Sequence, residues 1–245
     1  MGRLLTIMQR LRDPQHGCEW DVAQTFDSIA PYTIEEAYEV ADAIARRDMA
    51  EIKDELGDLL LQVVFHAQIA EDIGAFDFKD VVTSISDKME RRHPHIFGDA
   101  GHSGHHLWEQ IKADERRAKA ANGALDGVAL GLPALLRAEK LQKRAARTGF
   151  DWPDEEGPRA KIDEELREIE DAGPDTLAEE FGDLLFAVVN WARHRGIDPE
   201  AALRTANGKF ERRFAAMEAE AGEAFAALDL DSKEALWQRV KHRDG

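Results

Sequence analysis

The sequence lacks most features that mark secreted, disulfide-bonded or membrane proteins. It has one cysteine in 245 residues, Cys18, so neither a disulfide framework nor a thiolate zinc site is available, and a reducing compartment is indicated. No run approaches the roughly 18 apolar residues of a transmembrane helix. The Arg-rich N-terminal segment has neither the apolar region nor the cleavage site of a signal peptide. These absences predict a cytoplasmic protein without a membrane partner.

Basic and aromatic residues are also scarce. Lys and Arg total 32 against 49 Asp and Glu, which gives a formal net charge of −17, and aromatic residues make up 7% of the chain. A protein this acidic repels a phosphate backbone, so we expect no nucleic-acid partner. Few aromatic residues together with 33% charged residues favour a helical protein over a β-sandwich or barrel.

The chain contains an internal repeat. Four segments recur in the same order: IEEAYE at 34–39 as DEELRE at 163–168, DELGDLL at 54–60 as EEFGDLL at 179–185, KMERR at 88–92 as KFERR at 209–213, and WEQIK at 108–112 as WQRVK at 237–241. Recurrence in order predicts two homologous domains. We place them at 1–120 and 134–245, with a linker rich in Ala, Gly and Pro at 121–133.

Apolar periodicity predicts helices throughout the first half. The helical period is followed at 33–46, 52–69, 78–92 and 107–119. Thr33 is the expected N-cap of the first of these helices, because Glu36 follows it at capping-box spacing. No segment alternates with the strand period, so each half is expected to be an all-α bundle of three or four helices.

Acidic residues are paired at a spacing of three on two predicted helices of each half. They are Glu36, Glu39, Glu55 and Asp58 in the first half, and Glu165, Glu168, Glu180 and Asp183 in the second. Residues three apart share a helix face, where like charges are destabilising unless a cation lies between them. Four carboxylates on facing helices suit Mg²⁺, which takes oxygen ligands and shares substrate phosphates. The alternative is a solvated acidic face. The acidic pairs recur in both halves beside a glycine, Gly57 or Gly182, which indicates close packing or the approach of a ligand. This recurrence favours the metal site.

Cations and tryptophans repeat on the later helices. Lys88, Arg91 and Arg92 correspond to Lys209, Arg212 and Arg213, and Trp108 corresponds to Trp237. Such cations can hold the outer phosphates of a polyphosphate, with surface ion pairs as the alternative. The tryptophans are candidates for stacking on a base, and a core position explains them equally well. A ferritin-like di-iron site would need two E-x-x-H motifs. The first half has one, Glu90–His93, but the repeat places Phe214 where the histidine of the second motif should be.

The motifs EEAYE, ELGD and KMERRHPHIF resemble the MazG nucleoside triphosphate pyrophosphohydrolases of the all-α NTP pyrophosphatase superfamily. The family pattern is E-E-x-x-E, a spacer and E-x-x-D, and the resemblance covers both halves, as in tandem-domain bacterial MazG. It implies two helical bundles that dimerise, and hydrolysis of (d)NTP to (d)NMP and pyrophosphate with Mg²⁺, or Mn²⁺ as a substitute. The chain departs from the family at 18–21, where CEWD replaces the usual CPWD, and the second half lacks HPHIF.

The resemblance also implies residue roles. The catalytic metal ligands would be Glu165, Glu168, Glu180 and Asp183, with Glu36, Glu39, Glu55 and Asp58 as first-half equivalents. The nucleotide-binding residues would be Lys161, Glu164, Glu179, Lys209, Arg212, Arg213 and Trp237, with Lys88, Arg91, Arg92 and Trp108 as first-half counterparts. The C-terminal copy is expected to be the main working site of a nucleoside triphosphate diphosphatase. A nucleotide-sensing or partner-docking helical module without turnover is the alternative.

Overall fold

The computed structural model describes residues 2–98 and 123–244, and the chain divides into two compact units, residues 1–115 and 116–245. The described residues of both units are helical and contain no strand, so the predicted all-α fold is confirmed. None of the described helices is long and apolar enough to span a membrane. The predicted helix at 107–119, with Trp108, lies outside the described residues. The domain boundaries 1–120 and 134–245 and the linker 121–133 stay predictions.

The described part of the first unit consists of six helices. They are α1 Gly2–Leu11, α2 Glu19–Ala23, α3 Phe26–Arg46, α4 Met49–Asp72, α5 Phe78–Arg92 and the short α6 Pro94–Phe97. The predicted helix at 78–92 has the bounds of α5, and the one at 52–69 lies within α4. Aspartates cap both, because Asp48 and Asp77 accept hydrogen bonds from the first free backbone N–H groups of α4 and α5.

Helix α3 begins earlier than predicted. Its N-cap is Thr25, which accepts from the Ser28 backbone N–H while Ser28 Oγ accepts from the Thr25 N–H. The prediction of Thr33 as N-cap is therefore wrong, because this capping box starts the helix two turns upstream. Pro31 lies within α3 and removes only one intrahelical hydrogen bond. Thr33 instead places Oγ1 2.9 Å from Nε2 of His66 on α4.

An apolar core joins α1, α3 and α4. It consists of the buried side chains of Met8, Ile29, Val64, Phe65 and Ile69. The edge of Trp20 packs on the Phe65 ring, and the Arg12 guanidinium lies over the same ring. Burial of these side chains supplies the hydrophobic stabilisation that holds α3 against α4. The acidic faces of these two helices are brought together by that packing.

The described part of the second unit begins with a loop and continues as five α-helices. They are α7 Ala134–Ala146, α8 Glu156–Asp171, α9 Leu177–His194, α10 Pro199–Ala221 and α11 Leu230–Asp244, with a 3₁₀ turn at Gly222–Ala227 before the last. Helix α9 packs against α8 and α7, and α10 packs against α11. Trp152 covers the start of α8 so closely that a Cβ at Gly157 would overlap its ring.

Candidate functional site

Three carboxylates of α8 and α9 meet in the second unit. Glu165, Glu168 and Glu180 each offer an oxygen, and these oxygens lie within 4.8 Å of one another. Two residues come from α8 at a spacing of three, and the third comes from the facing turn of α9, as the repeat predicts. Asp183 is not part of this triplet. It lies one turn along α9 and lines the adjoining cavity together with Glu165.

Glu165 is the most buried member of this cluster. The residue is only 2% exposed, and its Oε2 has no hydrogen-bond partner among the described residues. Its Oε1 lies 2.7 Å from Lys161 Nζ, which also lies 2.7 Å from Glu164 Oε1. A buried carboxylate oxygen without a partner is costly, and a bound cation would remove that cost. The all-oxygen donor set therefore fits a hard divalent cation such as Mg²⁺.

The charges in this cluster shift its titration. Burial and a hydrogen bond with Glu165 raise the pKa of Glu168. The hydrogen bond from Lys161 lowers the pKa of Glu164, and the hydrogen bonds that Lys161 makes to Glu164 and Glu165 raise the pKa of the lysine itself. In the absence of a metal ion, the contacts of Lys161 with Glu164 and Glu165 thus offset part of the repulsion between the carboxylates.

The first unit repeats the cluster with different surroundings. Oxygens of Glu36, Glu39 and Glu55 lie within 4.8 Å of one another. Burial and then the charges of neighbouring carboxylates, Asp58 among them, raise the pKa values of Glu36 and Glu55. The buried Gln62 donates from Nε2 to Glu36, at 3.4 Å, while its Oε1 has no partner among the described residues. These groups also fit a divalent cation.

The helix glycines do not serve packing. A Cβ at Gly57 or Gly182 would meet no described atom within 4 Å. The expectation of close packing beside the acids is therefore wrong for the described residues. Both positions are exposed, which leaves approach by a ligand or by another chain as the role compatible with the structure.

A cavity of 770 Å³ opens beside the carboxylates of the second unit. Its lining includes the charged side chains of Lys161, Glu165, Asp183, Asp151 and Arg193 and the aromatic side chains of Phe150, Trp152 and Phe186. The volume lies within the range of small-molecule sites, which are typically apolar with a few polar groups that orient the ligand. The cavity thus offers contacts both to a charged group and to a flat apolar group of one ligand.

Two buried carboxamides line the cavity, and the sequence reasoning missed both. Gln142 is 6% exposed and donates from Nε2 to the Phe186 carbonyl, while its Oε1 has no partner among the described residues. Asn190 is 7% exposed and accepts through Oδ1 from Arg193, so its NH₂ group is left to donate. The pair therefore offers one acceptor and one donor. The signal was the polar Asn190 on the apolar face of α9, where the first half has Phe65.

The predicted cations of the second unit lie on a different helix pair. Lys209, Arg212 and Arg213 are on α10, and the last two line a second cavity of 590 Å³ with Arg243 of α11. No α10 or α11 residue is among the described residues that line the first cavity. Trp237 packs against the α10–α11 core, next to the Phe210 ring and below the Arg213 guanidinium. The structure thus places Trp237 mainly as a core residue.

The remaining predicted nucleotide-binding residues among the described ones lie on α9 and α5. Glu179 is exposed in the first turn of α9, beside Glu180. In the first unit, Arg91 and Arg92 lie in the last turn of α5, and Lys88 lies one turn earlier. The nucleotide-binding roles of all these residues stay predictions.

Comparison with known proteins gives full-length relatives. The profile described as the MazG nucleotide pyrophosphohydrolase domain matches residues 24–97 and 161–217. The nucleoside triphosphate pyrophosphohydrolase of Escherichia coli K12 is 54% identical, over 100% of this chain and 98% of the relative. The nucleoside triphosphate pyrophosphohydrolase/pyrophosphatase MazG of Thermotoga maritima is 45% identical, over 98% of this chain and 95% of the relative. A partial match, the nucleoside triphosphate pyrophosphohydrolase of Mycolicibacterium smegmatis, is 39% identical over 60% of this chain and 46% of the relative.

Two helical units, each with carboxylates meeting across two facing helices, define a tandem all-α protein of the nucleotide pyrophosphohydrolase class. The matched segments contain both clusters, because Glu36 to Asp58 lie in the first and Glu165 to Asp183 in the second. The chain belongs to the MazG nucleotide pyrophosphohydrolase family. The family and enzyme class expected from the motifs are confirmed.

The raised pKa of Glu168 predicts a pH dependence of stability. A carboxyl group that binds its proton more tightly in the folded state loses stability as pH rises from the unfolded pKa through the folded one. We expect Glu168→Gln to reduce the fall in melting temperature between about pH 4.5 and about pH 7 in the presence of a chelator. Glu164→Gln is the control. The pKa of Glu164 is lowered, so its contribution to stability changes mainly below about pH 4.5, and its removal should leave this fall nearly unchanged. Equal slopes for both variants would contradict the assignment.

Proposed function

We propose that the chain hydrolyses (d)NTP at the α-phosphorus to (d)NMP and pyrophosphate, with Mg²⁺ or, as a substitute, Mn²⁺. The observation that carries the proposal is the cavity of 770 Å³ in the second unit, whose lining includes Lys161, Glu165 and Asp183. The names of the full-length relatives, both nucleoside triphosphate pyrophosphohydrolases, support the same reaction.

The nucleoside part of the substrate fits the apolar end of this cavity. A base would stack on the Trp152 or Phe186 ring, and its edge would meet the acceptor of Gln142 and the donor of Asn190. Buried polar groups that are satisfied only by the ligand favour binding, since they are left unpaired without it. The triphosphate would then extend towards Lys161 and the carboxylates.

The carboxylates would hold the metal ion and the attacking water. Glu165, Glu168 and Glu180 would bind Mg²⁺, with Asp183 completing the set as the helices adjust. When bound, Mg²⁺ supplies positive charge that offsets the charge developing on the phosphate oxygens. Carboxylate oxygens that accept from a water orient it for in-line attack and take up its proton. Lys161 would donate to a phosphate oxygen. The α–β bridging bond breaks, and pyrophosphate leaves.

The products test this reaction directly. ATP should give AMP and pyrophosphate without ADP, and hydrolysis in ¹⁸O-labelled water should place the label in AMP, because water attacks the α-phosphorus. Mass spectrometry of the quenched reaction measures both outcomes. ADP and orthophosphate as first products would refute the proposal. Tight nucleotide binding without any product would instead support the alternative, a nucleotide-sensing or partner-docking module.

Substitutions at equivalent carboxylates test which unit works. We expect Glu168→Gln or Asp183→Asn to lower kcat by about 100-fold, which is a barrier increase of about 3 kcal/mol, because an amide is a poor ligand for Mg²⁺. Glu39→Gln and Asp58→Asn are the matched changes in the first unit and should cost less. Larger losses from the first-unit variants would assign turnover to that unit. Normal activity of all four variants would rule out the carboxylate mechanism.

The cavity is tested by filling it. In the first unit the residue corresponding to Asn190 is Phe65, which is 4% exposed in the apolar core. We expect Asn190→Phe to raise KM for the nucleotide about tenfold or more, because it removes a donor and occupies the space of the base. The affinity for Mn²⁺ should stay unchanged, since the carboxylates are intact. An unchanged KM in a folded variant would contradict the placement of the base.

We further propose a homodimer. Exposed apolar side chains form a stripe on α9, at Phe181, Leu185 and Val188, and the first unit repeats it on α4 with Leu56 and Val63. Large exposed apolar stripes mark association surfaces. Light scattering should give about twice the chain mass of 27.5 kDa, and Leu185→Lys should shift it towards the monomer with the helix content unchanged. A wild-type monomer at micromolar concentration would contradict this assembly.

The proposal includes a cytoplasmic location and nucleotide substrates rather than nucleic acid as partners. The single, exposed Cys18 and the net charge of −17 support these two points. The cellular role would be cleaning of the nucleotide pool or control of stress-related nucleotides, which a substrate panel distinguishes.

A further inference from the structure

The two carboxylate clusters differ in the residue one helical turn before their first glutamate, which is Glu165 in the second unit and Glu36 in the first. In the second unit the residue one turn earlier is Lys161, whose Nζ contacts both Glu164 and Glu165 at 2.7 Å. In the first unit the residue at the same repeat position, four before Glu36, is Tyr32. The Tyr32 ring makes an edge contact with Trp20. The second cluster therefore has a built-in cation at a position where the first has a neutral ring.

The lysine contact occupies the ligand that a metal ion would need most. Glu165 is the buried member of its cluster, and Lys161 holds its Oε1 while Oε2 has no partner among the described residues. A divalent cation on Glu165 would lie within a few ångströms of the ammonium group, where like charges repel strongly in a partly buried site. The free Oε2 can still bind the metal ion, but the lysine on Oε1 weakens that binding until another anion draws the lysine away.

We propose that Lys161 is the resident counter-ion of the second cluster and couples its metal binding to nucleotide binding, whereas the first cluster binds a divalent cation without nucleotide. The phosphates of the substrate take over the lysine when the metal ion displaces it, which is the part that rests on the proposed function. Coupling of this kind is reciprocal, so the metal ion and the nucleotide each raise the affinity for the other.

The first cluster has the features that uncoupled binding requires. Glu36 receives a weak hydrogen bond from the neutral Gln62, whose buried Oε1 is an additional oxygen without a partner among the described residues. Oxygens of Glu36, Glu39 and Glu55 lie within 4.8 Å of one another, and no described lysine pairs with any of them as Lys161 pairs with Glu165. A divalent cation gains the full attraction of these carboxylates.

The test measures Mn²⁺ binding to the full chain by electron paramagnetic resonance, first without nucleotide. Glu168→Gln leaves the first cluster intact, and Glu39→Gln leaves the second. We expect the first cluster to bind Mn²⁺ about tenfold more tightly than the second. Adding Lys161→Met to the Glu39→Gln chain should tighten the second cluster about tenfold, because the competing charge is gone. Lys140→Met, an equal charge change at an exposed position of α7, should have little effect.

The opposite substitution, made in the first unit, keeps the proposal testable if the Lys161→Met chain does not fold. Tyr32→Lys in the Glu168→Gln chain places a lysine one turn before Glu36 and should weaken Mn²⁺ binding there about tenfold. The melting temperature without metal ion verifies that each variant is folded. Unchanged or weaker Mn²⁺ binding in the Lys161→Met chain, or unchanged binding in the Tyr32→Lys chain, would overturn the counter-ion role.

A second arm adds an NTP analogue with a non-hydrolysable α–β bridge. The analogue should tighten Mn²⁺ binding to the second cluster, and Lys161→Met should abolish most of this gain. Equal gains with and without the lysine would overturn the coupling. The nucleotide-free arm does not depend on turnover. A failure of the proposed reaction would therefore appear in the product assay, while the Mn²⁺ affinities would still follow the lysine.

Discussion

Repulsion between carboxylates on two facing helices is the constraint on which both units depend. In each unit three glutamate oxygens lie within 4.8 Å of one another, at a site where burial strengthens the repulsion. A bare cluster of this kind destabilises the fold, so stabilisation must come from elsewhere. In the first unit it comes from the core of Met8, Ile29, Val64, Phe65 and Ile69. A bound cation would attract the carboxylates of both helices and would thereby hold the two helices together.

The features predicted from sequence are those with a local or repeated signal. The spacing of three within each acidic pair places two carboxylates on one helix face, and recurrence identified the helix pairs that meet. The helices 52–69 and 78–92 follow from apolar period alone, and the structure has them as α4 and α5. Two local signals gave wrong predictions, the close packing at Gly57 and Gly182 and the N-cap at Thr33. A residue that resembles an N-cap lies inside α3, because the capping box of Thr25 and Ser28 begins the helix upstream.

The features that sequence did not predict arise from tertiary contacts. Gln142 and Asn190 lie about 50 residues apart and meet only because α7 packs on α9. Neither has a motif of its own, since an amide in a helix is usually exposed. The position of Trp237 has the same origin, because its contacts with Phe210 and Arg213 depend on how α10 and α11 pack. Spacing along the chain carries no information on such distances.

At two repeat positions the first unit has an aromatic residue and the second has a polar or charged one. Where the first unit buries Phe65, the second has Asn190 at the wall of a cavity, and where the first has Tyr32, the second has a charged Lys161. Replacing a buried aromatic side chain by a cavity-lining amide forfeits packing, at a cost of about 3 kcal/mol or more when the space stays empty. Lys161 pairs with Glu164 and Glu165, and it would need another anion once a metal ion binds the Glu165 carboxylate. Both costs fall when a flat base fills the space and phosphates meet the lysine. In the proposed reaction a nucleotide would therefore complete the second unit, while the first already contains the side chains that complete its core.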